Sequence, residues 1–141
     1  MMNLSQLYNI ADNNKIQVYH YDLSPIKSMS VPGVIGIDAN FIKTNADEKE
    51  QLAHELGHCM LGAFYTGSSP LELRAQKEYR ANKWAIEKLI PFAELIEACK
   101  SGIIEIWELA EYFGVSEALV KSAFKLYESK FIELQKYNYS E

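Results

Sequence analysis

Apolar positions in the first forty residues recur with two different periods. Leu4, Leu7 and Ile10, with Tyr8, fall at helical spacing behind Ser5, and Asn13–Asn14 end that segment. Ile16, Val18 and Tyr19–Tyr21 then read as a strand, being β-branched and aromatic. Ser24 to Gly33 holds Pro25, Pro32 and several serines, which predicts a loop with room for one short strand. Val34–Ile37 follows as a strand closed by Asp38-Ala39-Asn40.

Beyond Asn40 the pattern is helical. Thr44 or Asn45 caps a helix whose first turn carries Asp47 and Glu48, acids that suit the positive end of the dipole, and Gly62 stops it after Leu61. After the turn-rich Thr66 to Pro70, a third helix begins between Leu71 and Glu78 and stops before Pro91, which cannot continue it. Three more helices are predicted over 92–100, 104–113 and 116–137. No internal repeat or low-complexity segment interrupts them.

Length and composition place the chain among ordinary globular proteins: 141 residues, 48% apolar and 23% charged, enough for one continuous core. The net charge of −5 argues against a domain that grips nucleic-acid phosphates. No apolar run approaches the ~20 residues that span a bilayer, and Met1 to Asn14 lacks a secretory pattern, so a cytoplasmic protein with no membrane partner is expected. Cys59 and Cys99, without C-x-x-C spacing, suit a reducing compartment as small hydrophobes.

Chemistry enters with His54-Glu55-Leu56-Gly57-His58, an H-E-x-x-H pattern. On a helix, positions i and i+4 lie about 40° apart around the axis, so His54 and His58 reach toward one ion while Glu55 flanks it. Zinc accepts imidazole nitrogen, and a catalytic site supplies three protein ligands and leaves a position for water, whose proton Glu55 can take and pass to a leaving amine. The pattern arises by chance in roughly four of a thousand chains this long, and it uses two of only three histidines. Leu52, Leu56, Cys59, Met60 and Ala63 form the opposite, core-facing arc. Glu78 is the candidate third ligand. It heads a stripe with Ala81, Asn82, Ala85 and Leu89, whose small members allow close approach to the histidine helix.

These two motifs together, Ala53-His54-Glu55-Leu56-Gly57-His58 and Glu78-x-x-Ala81-Asn82-x-Trp84-Ala85 with Leu89-Ile90-Pro91, resemble the ImmA/IrrE family of metallopeptidases. The one mild departure is Trp84, where phenylalanine is commoner. The resemblance implies a gluzincin-like protease with one catalytic Zn2+ on His54, His58 and Glu78, and Glu55 as the catalytic base. It further implies a phage or mobile-element setting and a helix-turn-helix repressor as the protein substrate.

Other residues are weaker candidates. Val34–Asp38 is expected to form the sheet edge beside the cleft, where a peptide could add as a strand, with Gly36 allowing close approach. Asn82 could bond a ligand's second nitrogen or Glu78. His20, Tyr65, Tyr79 and Arg80 are possible oxyanion donors, the last three weaker still. Glu108 to Val120 reads like a helix-turn-helix, with Gly114 in the turn and Ser116 capping. Residues 94–141, however, hold nine acids against five lysines, which opposes DNA contact.

The expectation is therefore an α+β, zincin-like fold: an N-terminal helix, a small mixed or antiparallel sheet, two metal-bearing helices and a C-terminal helical bundle. Residues 1–91 form the metallopeptidase core and 92–141 a helical subdomain packed on it. Two rivals remain: a non-proteolytic antirepressor with structural zinc, and a DNA-binding regulator using 108–125.

Overall fold

The computed structural model describes residues 1–139, so Ser140 and Glu141 of the C-terminal segment lie outside the described residues. It begins with α1 (Leu4–Asn13), which starts one residue ahead of Ser5. Asn3, not Ser5, is the cap: its side chain accepts from Gln6 N while Gln6 reaches back to Asn3 N, a reciprocal capping box. Three strands follow, β1 (Gln17–Tyr21), β2 (Ser28–Val31) and β3 (Val34–Asp38). The short strand inside the proline-rich loop is real.

The sheet order is β1-β3-β2, with β1 parallel and β2 antiparallel to β3. The strand expected at the edge beside the cleft, Val34–Asp38, is therefore the central one, and β2 is the edge. Burial explains the exchange. Ile35 and Ile37 are fully buried, as a strand flanked on both sides requires, whereas β2 alternates half-buried serines with exposed Met29 and Val31. Gly36 meets only the side chains of Leu23 and Met29, so it neither forms a bulge nor admits a peptide backbone.

Helices α2 (Asn45–Leu61) and α3 (Leu71–Leu89) share the most extensive interface of the fold, and α2 also packs on α1, β2 and β3. Thr44 caps α2 in a second capping box with Asp47, and Gly62 ends it in the left-handed region at φ 60°. The expected core arc of α2 holds for Leu52, Leu56 and Ala63, but Met60 is exposed. Then come α4 (Phe92–Lys100), α5 (Ile106–Phe113), α6 (Glu117–Leu126) and α7 (Glu128–Tyr139).

The helix expected over 116–137 is thus two helices, broken at Tyr127. That side chain is buried and its hydroxyl donates to Ile90 O at 2.8 Å, while Phe92 packs edge-on against its ring. Tyr127 is thereby anchored to the end of α3 at the point where α6 ends and α7 begins. One hydrophobic cluster runs from Leu7 to Tyr127. No helix among the described residues is long and apolar enough to cross a membrane.

Candidate metal centre

The close approach of α2 and α3 sets the site. Gly57, between the two motif histidines, faces Ala81 so tightly that a Cβ there would lie 2.6 Å from Ala81 O. Only a residue without a side chain permits that distance. Buried Ala81 and Ala85 complete the small-residue contact foreseen along α3.

With the helices this close, His54, His58 and Glu78 meet. His54 Nε2 lies 2.9 Å from Glu78 Oε2, His58 Nε2 3.1 Å from Glu78 Oε1, and the two Nε2 atoms 3.2 Å apart. Ligands bonded to a tetrahedral zinc at 2.0–2.1 Å stand about 3.3 Å from one another, so the donor atoms already stand at the spacing of atoms around one ion.

Their hydrogen bonds argue further. His58 Nδ1 donates to Ala63 O at 2.5 Å, and His54 Nδ1 donates to Asn82 Oδ1 at 2.7 Å. An imidazole whose Nδ1 is engaged by a protein acceptor is left with Nε2 to offer to an ion. Here both Nε2 atoms face one another and the same carboxylate. A cation can engage all three, and the donor set, two imidazole nitrogens and one carboxylate, suits zinc. The same three residues form the metal-competent group among the described residues. Asn82 thus engages the far nitrogen of His54, a candidate ligand, rather than Glu78.

Glu55 stands on the neighbouring arc, only 4% exposed. Ser28 Oγ of β2 donates to Glu55 Oε2 at 2.7 Å, with the Gln51 side-chain amide on its other side at 2.8 Å. Ser28, Glu55, His58, Phe64, Tyr65 and Glu78 all line a cleft of about 440 Å³, within the usual range for ligand sites.

The edge strand forms one wall. Lys27 O accepts from Asp38 N, and the register pairs Ser28 with Ile37, Met29 with Gly36 and Ser30 with Ile35. In an antiparallel ladder, bonded and non-bonded pairs alternate. Met29 and Val31 therefore spend their backbone groups on β3, while Ser28 and Ser30 turn theirs outward at the free edge.

Of the suggested oxyanion donors, Tyr65 alone lines the cleft. Its hydroxyl donates to Glu78 Oε1 at 2.6 Å, and that bond, with burial second, pushes its pKa up to about 12. His20 lies elsewhere, 3.1 Å from the Tyr8 hydroxyl and 3.9 Å from Glu48. Tyr79 and Arg80 are exposed and line other surface depressions. Cys59 is half-buried, and burial, then nearby Glu55, raises its thiol pKa.

Sequence reasoning missed Ser28, Gln51, the Ala63 carbonyl and Gly57. A serine in a serine-rich loop carries no signal, and a backbone carbonyl carries none at all. Gly57 did carry one: a glycine inside a helix costs stability relative to alanine and asks for a packing reason.

The family model described as the IrrE N-terminal-like domain, a peptidase family, matches residues 9–125. Comparison with curated proteins finds no match.

Proposed function

The chain belongs to the IrrE N-terminal-like domain family of metal-dependent peptidases, and from that premise we propose that it is a zinc endopeptidase whose substrate is a helix-turn-helix repressor. The observation that carries the enzymatic part is the convergence of His54 Nε2, His58 Nε2 and the Glu78 carboxylate beside a buried Glu55. His54, His58 and Glu78 hold the ion. When bound, zinc supplies a Lewis acid that polarises the scissile carbonyl and makes water acidic enough to deprotonate near neutrality.

The remaining steps belong to the chain. Glu55 accepts the proton of the attacking water and delivers it to the departing amine. Ser28 keeps one Glu55 oxygen engaged and so fixes the carboxylate's orientation. The substrate backbone pairs with the outward N–H and C=O groups of Ser28 and Ser30, adding a strand to β2. That geometry sets the peptide in front of Glu55 without demanding any particular side chain. The repressor is chosen on family resemblance, and a cytoplasmic setting follows from such a target.

The DNA-binding alternative loses support at α6. Glu50 of α2 accepts from Ser116 N at 3.1 Å and from Ser116 Oγ at 2.7 Å, so one carboxylate stands at the N-cap of α6 and a second, Glu117, in its exposed first turn, where both would repel phosphate. A helix-turn-helix reads bases with that turn of its second helix.

Mixing the zinc-loaded protein with the repressor encoded beside it is expected to yield one discrete fragment. Glu55→Gln should slow its appearance about 10²–10⁴-fold while retaining zinc. An intact repressor beside the loaded wild type would refute the substrate assignment. Derepression that survives Glu55→Gln would favour the antirepressor.

A further inference from the structure

The segment that follows α2 touches two of the three cluster residues at once. Gly62 reverses the chain, which lets Ala63 O accept from His58 Nδ1 and carries Tyr65 over Glu78. The Tyr65 ring stands edge-on to His58, with centroids 6.2 Å apart. The far end of the same loop is tied to α3. Arg74 donates from Nε to Ser69 O at 2.9 Å and from its terminal nitrogen to Gly67 O, and Thr66 N donates to Ser69 Oγ at 2.9 Å. Arg74 and Glu78 lie one turn apart, so the helix that bears Glu78 also grips the loop that bears Tyr65.

Glu78 needs such help. Its two imidazole neighbours are braced from behind by Ala63 and Asn82, but the carboxylate sits on a flexible stem with its side chain 37% exposed. An unbraced carboxylate loses rotamer freedom when it binds a cation.

We propose that Tyr65 is a positioning residue for the metal: its hydroxyl holds Glu78 in the ligating rotamer, as Asn82 and Ala63 hold the histidines. Each carboxylate oxygen has two lone pairs, so Glu78 Oε1 can accept from Tyr65 and still face the ion. This role rests on the metal site proposed above and is independent of the repressor. It also assigns the phenolic proton to Glu78 rather than to a substrate carbonyl.

The test compares Tyr65→Phe, which removes only the hydroxyl, with Tyr79→Phe as the exposed control. Zinc affinity is read by competition with a chromophoric chelator, and ligand geometry by the visible absorption of the Co2+-loaded protein. Tyr65→Phe should bind zinc about tenfold more weakly or worse and shift the cobalt bands, whereas Tyr79→Phe should match the wild type in both. Thermal melting of the metal-free proteins checks that the fold is intact. If Tyr65→Phe melts early, Arg74→Leu, which frees the loop while keeping Tyr65, should weaken zinc binding in the same direction.

Wild-type affinity and an unchanged cobalt spectrum would overturn the proposal, even with slower hydrolysis, since a loss confined to kcat assigns the hydroxyl to the reacting carbonyl. Failure of the peptidase reading looks different: the wild type would bind zinc and cut nothing, and the affinity difference would stand.

Discussion

The two halves of α2 carry polar side chains to opposite ends. In the first half, Glu48 accepts from the Tyr8 hydroxyl at 3.0 Å, buried Lys49 donates to Phe113 O at 2.8 Å, and Glu50 accepts from Ser116 N. Each of these groups meets a complementary partner from the chain itself. In the second half, His54 and His58 turn their Nε2 atoms toward each other and toward a carboxylate. Polar groups matched one to one hold α1 and the C-terminal helices in place; metal-competent ones gathered at one point make a place for something else. Burial alone does not separate them, since Lys49 and His58 are 8% and 5% exposed.

Gly57→Ala attacks the second half most severely. Its new Cβ would strike Ala81 O, a backbone atom that cannot swing away, so α2 and α3 must separate. We expect a stability loss of about 1–3 kcal/mol in thermal melts, together with a sharp fall in zinc affinity. Wild-type affinity in this variant would break the link between helix contact and ligand convergence. Glu50→Ala attacks the first half. It should cost about 1 kcal/mol, as the loss of a hydrogen-bonding partner does, and leave zinc affinity unchanged in chelator competition. A matching loss of zinc would erase the contrast between the halves.

Tyr127→Phe gives the smallest effect and sharpens the comparison through pH. Burial raises the Tyr127 pKa from 10.0 to about 12, so the folded state keeps a proton that the unfolded chain releases. The stabilisation is therefore whole below pH 10 and is lost as pH rises toward 12. Removing the hydroxyl should lower stability modestly near neutrality, because Ile90 O loses its donor. It should also flatten the alkaline fall in denaturant midpoints, with zinc affinity untouched below pH 9.

The elements and the convergence of the three candidate ligands were legible because they rest on local rules. Capping at Thr44, the stop at Gly62 and the proline at 91 act within a turn or two, and the i, i+4 histidines meet on any helix. Glu78 was within reach because its own helix carried small residues at the right interval. What escaped depends on distant parts of the chain. Periodicity cannot say which of two short strands sits in the middle of a sheet, so β3 was given the edge that β2 occupies. A continuous helical pattern also hides a break imposed by one tertiary hydrogen bond, from Tyr127 to Ile90. Ser28 reaches Glu55 from 27 residues away, a pairing no local pattern encodes.

The bonds from Lys49 and Glu50 span 64 and 66 residues, and they bear on the order in which the protein can be made. Chains emerge N-terminal end first, and contacts so far apart in sequence form late. A nascent chain ending near residue 91 would contain every proposed ligand, yet α2 would still expose Lys49 and Glu50 without the helices that anchor them. Synthesis beyond Ser116 thus completes the support of the helix on which two of the proposed ligands stand, and the last third of the chain acts as the closing step in assembling a site whose proposed ligands all lie before it.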